Sequence, residues 1–246
     1  MRPIDIPTGE TLEFATASLP SQRLRILEIG CGNGELAMEL KSRGQEVVAV
    51  DSDENAVAEA RRLGVDARVA IFPDFTAEPF DCVFFTRSLH HIHPLQPALR
   101  QAGNLLKPAG FLLVEDFAFS EVHRHTADWF YSLLALLDAC EALLPAEESF
   151  GRKLLARGGA FNLWHEHTHE INTASSILTA ITDGFEVLEA KPAPYLYRYV
   201  AQMVKDDERG ASIVTNVLEL EKKTGAGNEQ FLLGRRFVAR KSNNDC

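Results

Sequence analysis

The feature that most constrains this chain is the segment Ile26-Leu27-Glu28-Ile29-Gly30-Cys31-Gly32-Asn33-Gly34. A short apolar run leads straight into three glycines at alternate positions, and helix-forming residues start at Glu35. Glycine permits left-handed backbone and carries no Cβ, so this pattern turns a buried strand sharply into a helix and lets a ligand approach the main chain. A second apolar run at 46–50 ends in Asp51. A carboxylate at that place accepts hydrogen bonds from ribose hydroxyls in nucleoside-binding doubly wound sheets. The spacing is GxGxG, and Glu35 stands where the dinucleotide pattern GxGxxG needs its third glycine. A carboxylate at the helix N-terminus repels a pyrophosphate. With Glu28 just ahead of the loop, the site suits a cationic ligand.

Elsewhere, continuous apolar runs alternate with helical spacing. Strands are predicted at 25–29, 46–50, 67–71, 80–86, 111–114, 185–190 and 231–241. Helices are predicted at 35–42, 54–63, 95–106, 173–182 and 206–223, after a helical or irregular lead-in over 1–20. This order gives an α/β, doubly wound, mostly parallel seven-stranded sheet in a single domain over 1–246. The rhythm breaks at 117–172, which reads as a helical lid insertion after strand five. It leaves the carboxyl end of a strand, where such sheets bind ligands. Within it, 128–144 is apolar on nearly every side, and 147–157 forms a second helix. The first of these reads as a buried lid helix or as support for a homodimer interface.

A net charge of −10 disfavours nucleic acid, whose affinity comes from neutralised phosphates. The four cysteines, Cys31, Cys82, Cys140 and Cys246, show no CxxC pair, which suits a reducing compartment. The first residues lack the apolar core of a signal peptide, and no run approaches the ~20 apolar residues of a membrane span. The expectation is a soluble, cytoplasmic protein acting on a small molecule, with neither membrane nor nucleic acid as partner.

Taken in order, the motifs resemble those of the class I S-adenosylmethionine-dependent methyltransferases. Glu28 with Gly30, Gly32 and Gly34 matches the first motif, and Asp51 the second. Asp74 with Phe75 matches the adenine-side position after strand three. Phe80-Asp81-Cys82-Val83 matches the fourth strand, Leu89-His90-His91 the segment after it, and Leu106-Lys107-Pro108-Ala109-Gly110 the turn into strand five. Ala109 departs from that last pattern, where the family carries glycine. The resemblance covers about 22–116 well. It implies a Rossmann-like methyltransferase fold and S-adenosylmethionine as cofactor. The residues it implies for cofactor binding are Glu28, Gly30, Cys31, Gly32, Gly34, Asp51, Ser52, Asp74, Phe75, Thr86 and Arg87. Arg87 faces the cofactor carboxylate or an acidic substrate, or pairs with a surface acid.

The acceptor is less legible. All eight histidines lie in three clusters: His90, His91 and His93; His123 and His125; and His165, His167 and His169. Histidine is the natural base near neutral pH, and a phenol, amine or thiol acceptor has a proton to lose. His91, His123 and His167 are therefore candidate catalytic residues, together with Asp116, which competes with Glu115 for the inward face of its strand. His165-Glu166-His167-Thr168-His169 matches HExxH, but it precedes a helix instead of lying on one. No resident metal is expected, and the segment reads as part of the lid. Tyr195, Tyr197, Arg198 and Tyr199 are candidate walls of the acceptor pocket. The expected reaction is methyl transfer to O, N or S of a small molecule. The alternatives are a cofactor-binding scaffold or regulator without methyl transfer, and a metal-assisted methyltransferase that uses the histidines. Strand four ends in Phe85-Thr86-Arg87-Ser88, unlike the NPPY-type segment of amino-methylating nucleic-acid enzymes.

Overall fold

The computed structural model describes residues 1–145, 149–166 and 171–242. The chain divides into two compact units, one over 11–116, 170–191 and 235–246 and one over 1–10, 117–169 and 192–234.

The first unit is built on a seven-stranded sheet. Its strands are β1 (Arg25–Ile29), β2 (Glu46–Asp51), β3 (Asp66–Val69), β4 (Phe80–Thr86), β5 (Leu106–Phe117), β6 (Phe185–Ala193) and β7 (Gly234–Lys241), in the order β3-β2-β1-β4-β5-β7-β6. The pairs β1–β2, β2–β3, β1–β4 and β4–β5 are parallel. β1 and β4 are apolar on both faces because helices cover both sides. On one side α4 (Leu95–Leu105) and α7 (Ala174–Gly184) pack onto Leu27, Val83, Phe85 and Leu112. On the other, α2 (Glu35–Ser42) and α3 (Glu54–Arg62) pack with Phe14 of α1 (Asp5–Ser18) onto Ile26, Val47, Phe84 and Leu113. Strand order reverses at β1, between β2 and β4, so the crevice beyond the carboxyl ends of β1 and β4 is the ligand position of such a sheet.

The fold departs from the sequence reading at its edges. β3 stops at Val69 and not at 71, and β5 starts at 106 because the Lys107-Pro108-Ala109-Gly110 turn is drawn into its pairing with β4. The long apolar helix becomes α5 (Arg124–Ala139), and the chain turns away at Glu141, whose φ is 52°.

The second unit has its own core. Phe130 and Leu134 of α5, Leu154 of α6 (Phe150–Ala156) and Trp164 pack with Tyr197 and Val200 of α8 (Tyr197–Ala201) and Val214 and Leu218 of α9 (Glu208–Gly227). The segment predicted as a separate insertion thus shares one core with 192–234. Only one face of α5 is buried, and Leu136 is 62% exposed. Glu221 organises this unit: its carboxylate, fully buried, accepts the N–H groups of Tyr195, Leu196 and Tyr197 at 2.6–3.1 Å where α8 begins. Burial pushes its carboxyl up to about 7 despite those three donors.

Candidate active site

At the crossing point of the sheet lies a cavity of about 500 Å³. Its floor is the glycine loop, and each glycine there has a different reason. Gly30 has φ 79°, and a Cβ would run into the Ser88 side chain, with Oγ 2.8 Å away. The loops after β1 and β4 can approach this closely only because Gly30 has no side chain. Ser88 Oγ fastens them by donating to the Ile29 carbonyl at 2.6 Å. Gly34, at φ 86°, lies against Ala60 of α3, so its role is packing of α2 on α3. Gly32, at φ 52°, has no protein atom within 4 Å of a Cβ position and keeps its backbone bare toward the cavity.

Asp51 ends β2 and ties the loop down. Its Oδ2 accepts from Gly32 N–H at 2.9 Å, and its Oδ1 accepts from Asp53 N–H at 3.0 Å. It lines the cavity with its neighbour Ser52, and both carboxylate oxygens keep further lone pairs. The apolar wall is Val50, Ala70, Ile71, Phe72 and Ile92. Ile71 is 71% exposed.

Glu28 lies beneath the loop, 1% exposed. Thr86 Oγ1 is 3.0 Å from Glu28 Oε1 and 3.1 Å from the Gly30 carbonyl. One hydroxyl hydrogen cannot serve two acceptors at once. Burial pushes the Glu28 carboxyl up to about 8, so at neutral pH it holds a proton of its own. Its Oε2 is buried with no hydrogen-bond partner among the described residues.

The end of β4 supplies the opposite wall: Thr86, Arg87, Ser88, His91 and His93. The turn Leu89–His91 is held from two sides. Asp116 accepts His90 N–H at 3.0 Å through Oδ2 and lies 2.5 Å from His90 Nδ1 through Oδ1. Asn172 Nδ2 donates to the carbonyls of Leu89 and Ile92, and Asn172 N–H donates to His90 O. His90 is therefore the buried, structural member of the pair, and His91 faces the cavity. Burial, and next the neighbouring His90, hold His91 below the usual imidazole range. Glu115 and Asp116 are both buried, and neither lines the cavity.

Of the cofactor residues predicted from sequence, Gly30, Gly32, Asp51, Ser52, Thr86 and Arg87 come together on this cavity. Glu28, Cys31 and Gly34 act from behind it. Phe75 is turned into the core beside the sheet, and Asp74 is exposed and away from the lining, because the chain turns at Phe72-Pro73 and presents Ala70–Phe72 instead. Among the predicted catalytic residues, His91 lines the cavity and Asp116 supports its turn. His123 lies in the other unit, exposed, with its ring stacked 5.6 Å from His125. His167 lies outside the described residues, as does most of the HExxH segment. Ser88, Ile71 and Asn172 were not singled out from sequence. Ser88 had a signal, its place at the end of a strand facing a glycine loop; Asn172 had none beyond its capacity to cap.

The residues present fit an adenosyl sulfonium. A carboxylate, Asp51, lies where a ribose could be held, and an apolar wall lies where an adenine could be covered. Among the described residues, no three His, Cys, Asp or Glu side chains form a metal-binding group, and no helix is long and apolar enough to cross a membrane.

Comparison with known proteins agrees. The chain is similar to a ubiquinone biosynthesis O-methyltransferase of Xylella fastidiosa (strain 9a5c), 30% identical over 122 residues, 46% of this chain and 50% of that protein. The chain thus spans about half the length of the curated relatives it matches. The structure is similar to an S-adenosylmethionine-dependent methyltransferase from Mesorhizobium loti, with a TM-score of 0.56, 18% identity and coverage of 94% of this chain and 96% of that one. It is also similar to the N-methyltransferase NodS from Bradyrhizobium japonicum in complex with S-adenosyl-L-homocysteine, with a TM-score of 0.53, 13% identity and coverage of 95% and 86%. A family model described as a methyltransferase domain matches residues 8–148, more than half of the chain. Because that match spans the loop, Asp51 and the end of β4 in one stretch, the chain belongs to the class I S-adenosylmethionine-dependent methyltransferase family.

Proposed function

We propose that this protein transfers a methyl group from S-adenosylmethionine to an oxygen, nitrogen or sulfur of a small molecule, with a hydroxyl oxygen as the first acceptor to test. The observation that carries the reading is the cavity at the β1/β4 crossing, floored by Gly30 and Gly32 and bounded by Asp51. The likeness to ubiquinone biosynthesis O-methyltransferases favours a hydroxyl, although it covers only half of their length.

When bound, the cofactor supplies an electrophilic methyl on a sulfonium. The chain's own residues bind, orient and handle a proton. Asp51 holds the ribose side, Ile71 and Phe72 cover the adenine side, and the bare backbone at Gly32 admits the ligand. His91 is the base of this reading: it lines the cavity, and its depressed proton affinity leaves a neutral imidazole at neutral pH, free to take an acceptor proton at a ring nitrogen. Asp116 and Asn172 fix the turn that carries it.

The test has two stages. Calorimetry with S-adenosylhomocysteine on the full chain should show one site with micromolar affinity; absence of binding overturns the cofactor reading. A radiolabelled methyl-transfer screen over catechols, amines and thiols should give turnover in the phenol class. Tight cofactor binding with no turnover over the whole screen would favour a scaffold or regulator instead.

A further inference from the structure

Helix α5 carries an apolar face that its own unit leaves open. Phe130 and Leu134 are buried in the core of the second unit, but Leu133 and Leu137 are only half-buried and Leu136 is 62% exposed. A helix apolar on nearly every side belongs under cover. Beside this face α9 completes a groove of about 380 Å³. Leu133 and Leu137 form one wall, and Ile213, Val217 and Leu220 form the other. Arg209 lines the same groove, and among the described residues no acid does. The Arg209 side chain is exposed and makes no hydrogen bond or ion pair among the described residues.

The acids of these two helices are engaged elsewhere. Asp128 and Asp138 of α5 pair with Arg124 and Arg152, and Glu219 of α9 pairs with Lys222. Asp207 caps α9 by accepting Gly210 N–H at 2.8 Å. The other polar groups of the groove are satisfied within α9, where Asn216 Nδ2 donates to the Ser212 carbonyl at 2.8 Å. The groove is therefore cationic at one end and apolar beyond it, and α9 rises about 16 Å from Arg209 to Leu220. Charge and size select the occupant. A second copy pairing through the same groove would bring two guanidiniums to one apolar contact with no carboxylate from the groove to meet them. A helix, about 10 Å across, is too broad to enter a space of this volume. A single alkyl chain with an anionic head suits both ends: a carboxylate matches the guanidinium fork, and an extended dodecyl chain reaches Leu220.

We infer that the groove between α5 and α9 binds one long-chain carboxylate, with its head on Arg209 and its chain between the leucines of α5 and Ile213, Val217 and Leu220 of α9. Binding covers the open face of α5. The site lies wholly within the second unit and stands whether or not the cofactor reading does.

Calorimetry is run on the full chain with straight-chain carboxylates held below their micelle thresholds. Dodecanoate should bind once per chain. Affinity should rise about threefold for each methylene from octanoate to dodecanoate, and level off beyond tetradecanoate, where the chain passes Leu220. Arg209→Gln should lose roughly 10-fold for dodecanoate and little for dodecyltrimethylammonium, whose head offers the guanidinium no acceptor. Leu220→Asp should abolish the dependence on chain length. Both positions are exposed, so neither variant should lower the melting temperature; Leu220→Ser replaces Leu220→Asp if that one does. Equal losses for both amphiphiles in Arg209→Gln, affinity still climbing at hexadecanoate, or no saturable binding of dodecanoate overturns the inference. A dimer in sedimentation that Leu220→Asp breaks and dodecanoate leaves intact overturns it in favour of a second copy. Binding to phosphatidylglycerol vesicles that Arg209→Gln abolishes, without binding of free dodecanoate, overturns it in favour of a membrane surface.

Discussion

Asp51 is the residue whose replacement tests the cofactor site most directly. In Asp51→Asn one carboxylate oxygen becomes an amide nitrogen. Both oxygens already accept a backbone N–H, from Gly32 and from Asp53 at 2.9 and 3.0 Å, so the new NH₂ must face another donor. A hydrogen bond to an ionised acceptor contributes about 1.5–3 kcal/mol, and the half-exposed site lets water recover part of it. The expected cost to the fold is about 1–2 kcal/mol, a drop in melting temperature of roughly 2–8 °C for a chain of this size. The ligand effect is separate. Losing one charge-assisted bond to a ribose hydroxyl weakens S-adenosylhomocysteine by roughly 10- to 100-fold. Titration of wild type and Asp51→Asn with adenosine and 2′,3′-dideoxyadenosine closes a double-mutant cycle. Wild type should prefer adenosine, and the variant should not. If Asp51→Asn keeps the full preference, Asp51 does not hold the ribose, and its role is confined to pinning Gly32.

The same geometry sets further outcomes. His91→Asn should lower kcat by about 10²- to 10³-fold with little change in cofactor affinity. Because burial lowers the His91 proton affinity, the rising limb of the wild-type pH–rate profile should fall below the ordinary imidazole value and vanish in the variant. Glu28 is raised from 4.5 to about 8 by burial, so its contribution to stability is intact below pH 4.5 and is lost as pH rises through 8. Glu28→Gln should therefore flatten the fall in melting temperature between pH 4.5 and 8; an equally steep fall in the variant would remove Glu28 as its cause. Gly34→Ala should cost about 2–4 kcal/mol, from left-handed strain and collision with Ala60, as read by denaturant unfolding.

The sheet and its cofactor loop were legible because each depends on local pattern. Buried parallel strands must be apolar on both faces, and three glycines at alternate positions have few uses besides a bare turn. Asp51 was legible because a charged residue ending an apolar strand needs a reason. Asp74 and Phe75 were misplaced because the path of the chain beyond a strand depends on the turn it takes there, and the stretch Phe72-Pro73 sends Phe75 into the core. Which of two adjacent histidines faces the ligand was not legible either. That choice is made by Asp116 and by Asn172, 26 and 80 or more positions away. In sequence 117–172 reads as an insertion, since the segment 192–234, with which it shares a core, lies far along the chain and carries no motif of its own. Its organiser, Glu221, looks in sequence like any surface glutamate on a charged helix.

Ala109 and Arg87 carry the same backbone strain. Both are non-glycine residues in left-handed backbone, at φ 58° and 57°. Ala109 is exposed, in a turn where the family carries glycine. Replacing it by glycine removes left-handed strain of about 1–2 kcal/mol and adds about 0.5–1 kcal/mol of unfolded-state freedom. The net gain is about 0.5–1 kcal/mol, or roughly 1–4 °C in melting temperature. Nucleoside affinities should not move. If Ala109→Gly fails to raise the melting temperature, the left-handed turn carries less strain than its φ implies.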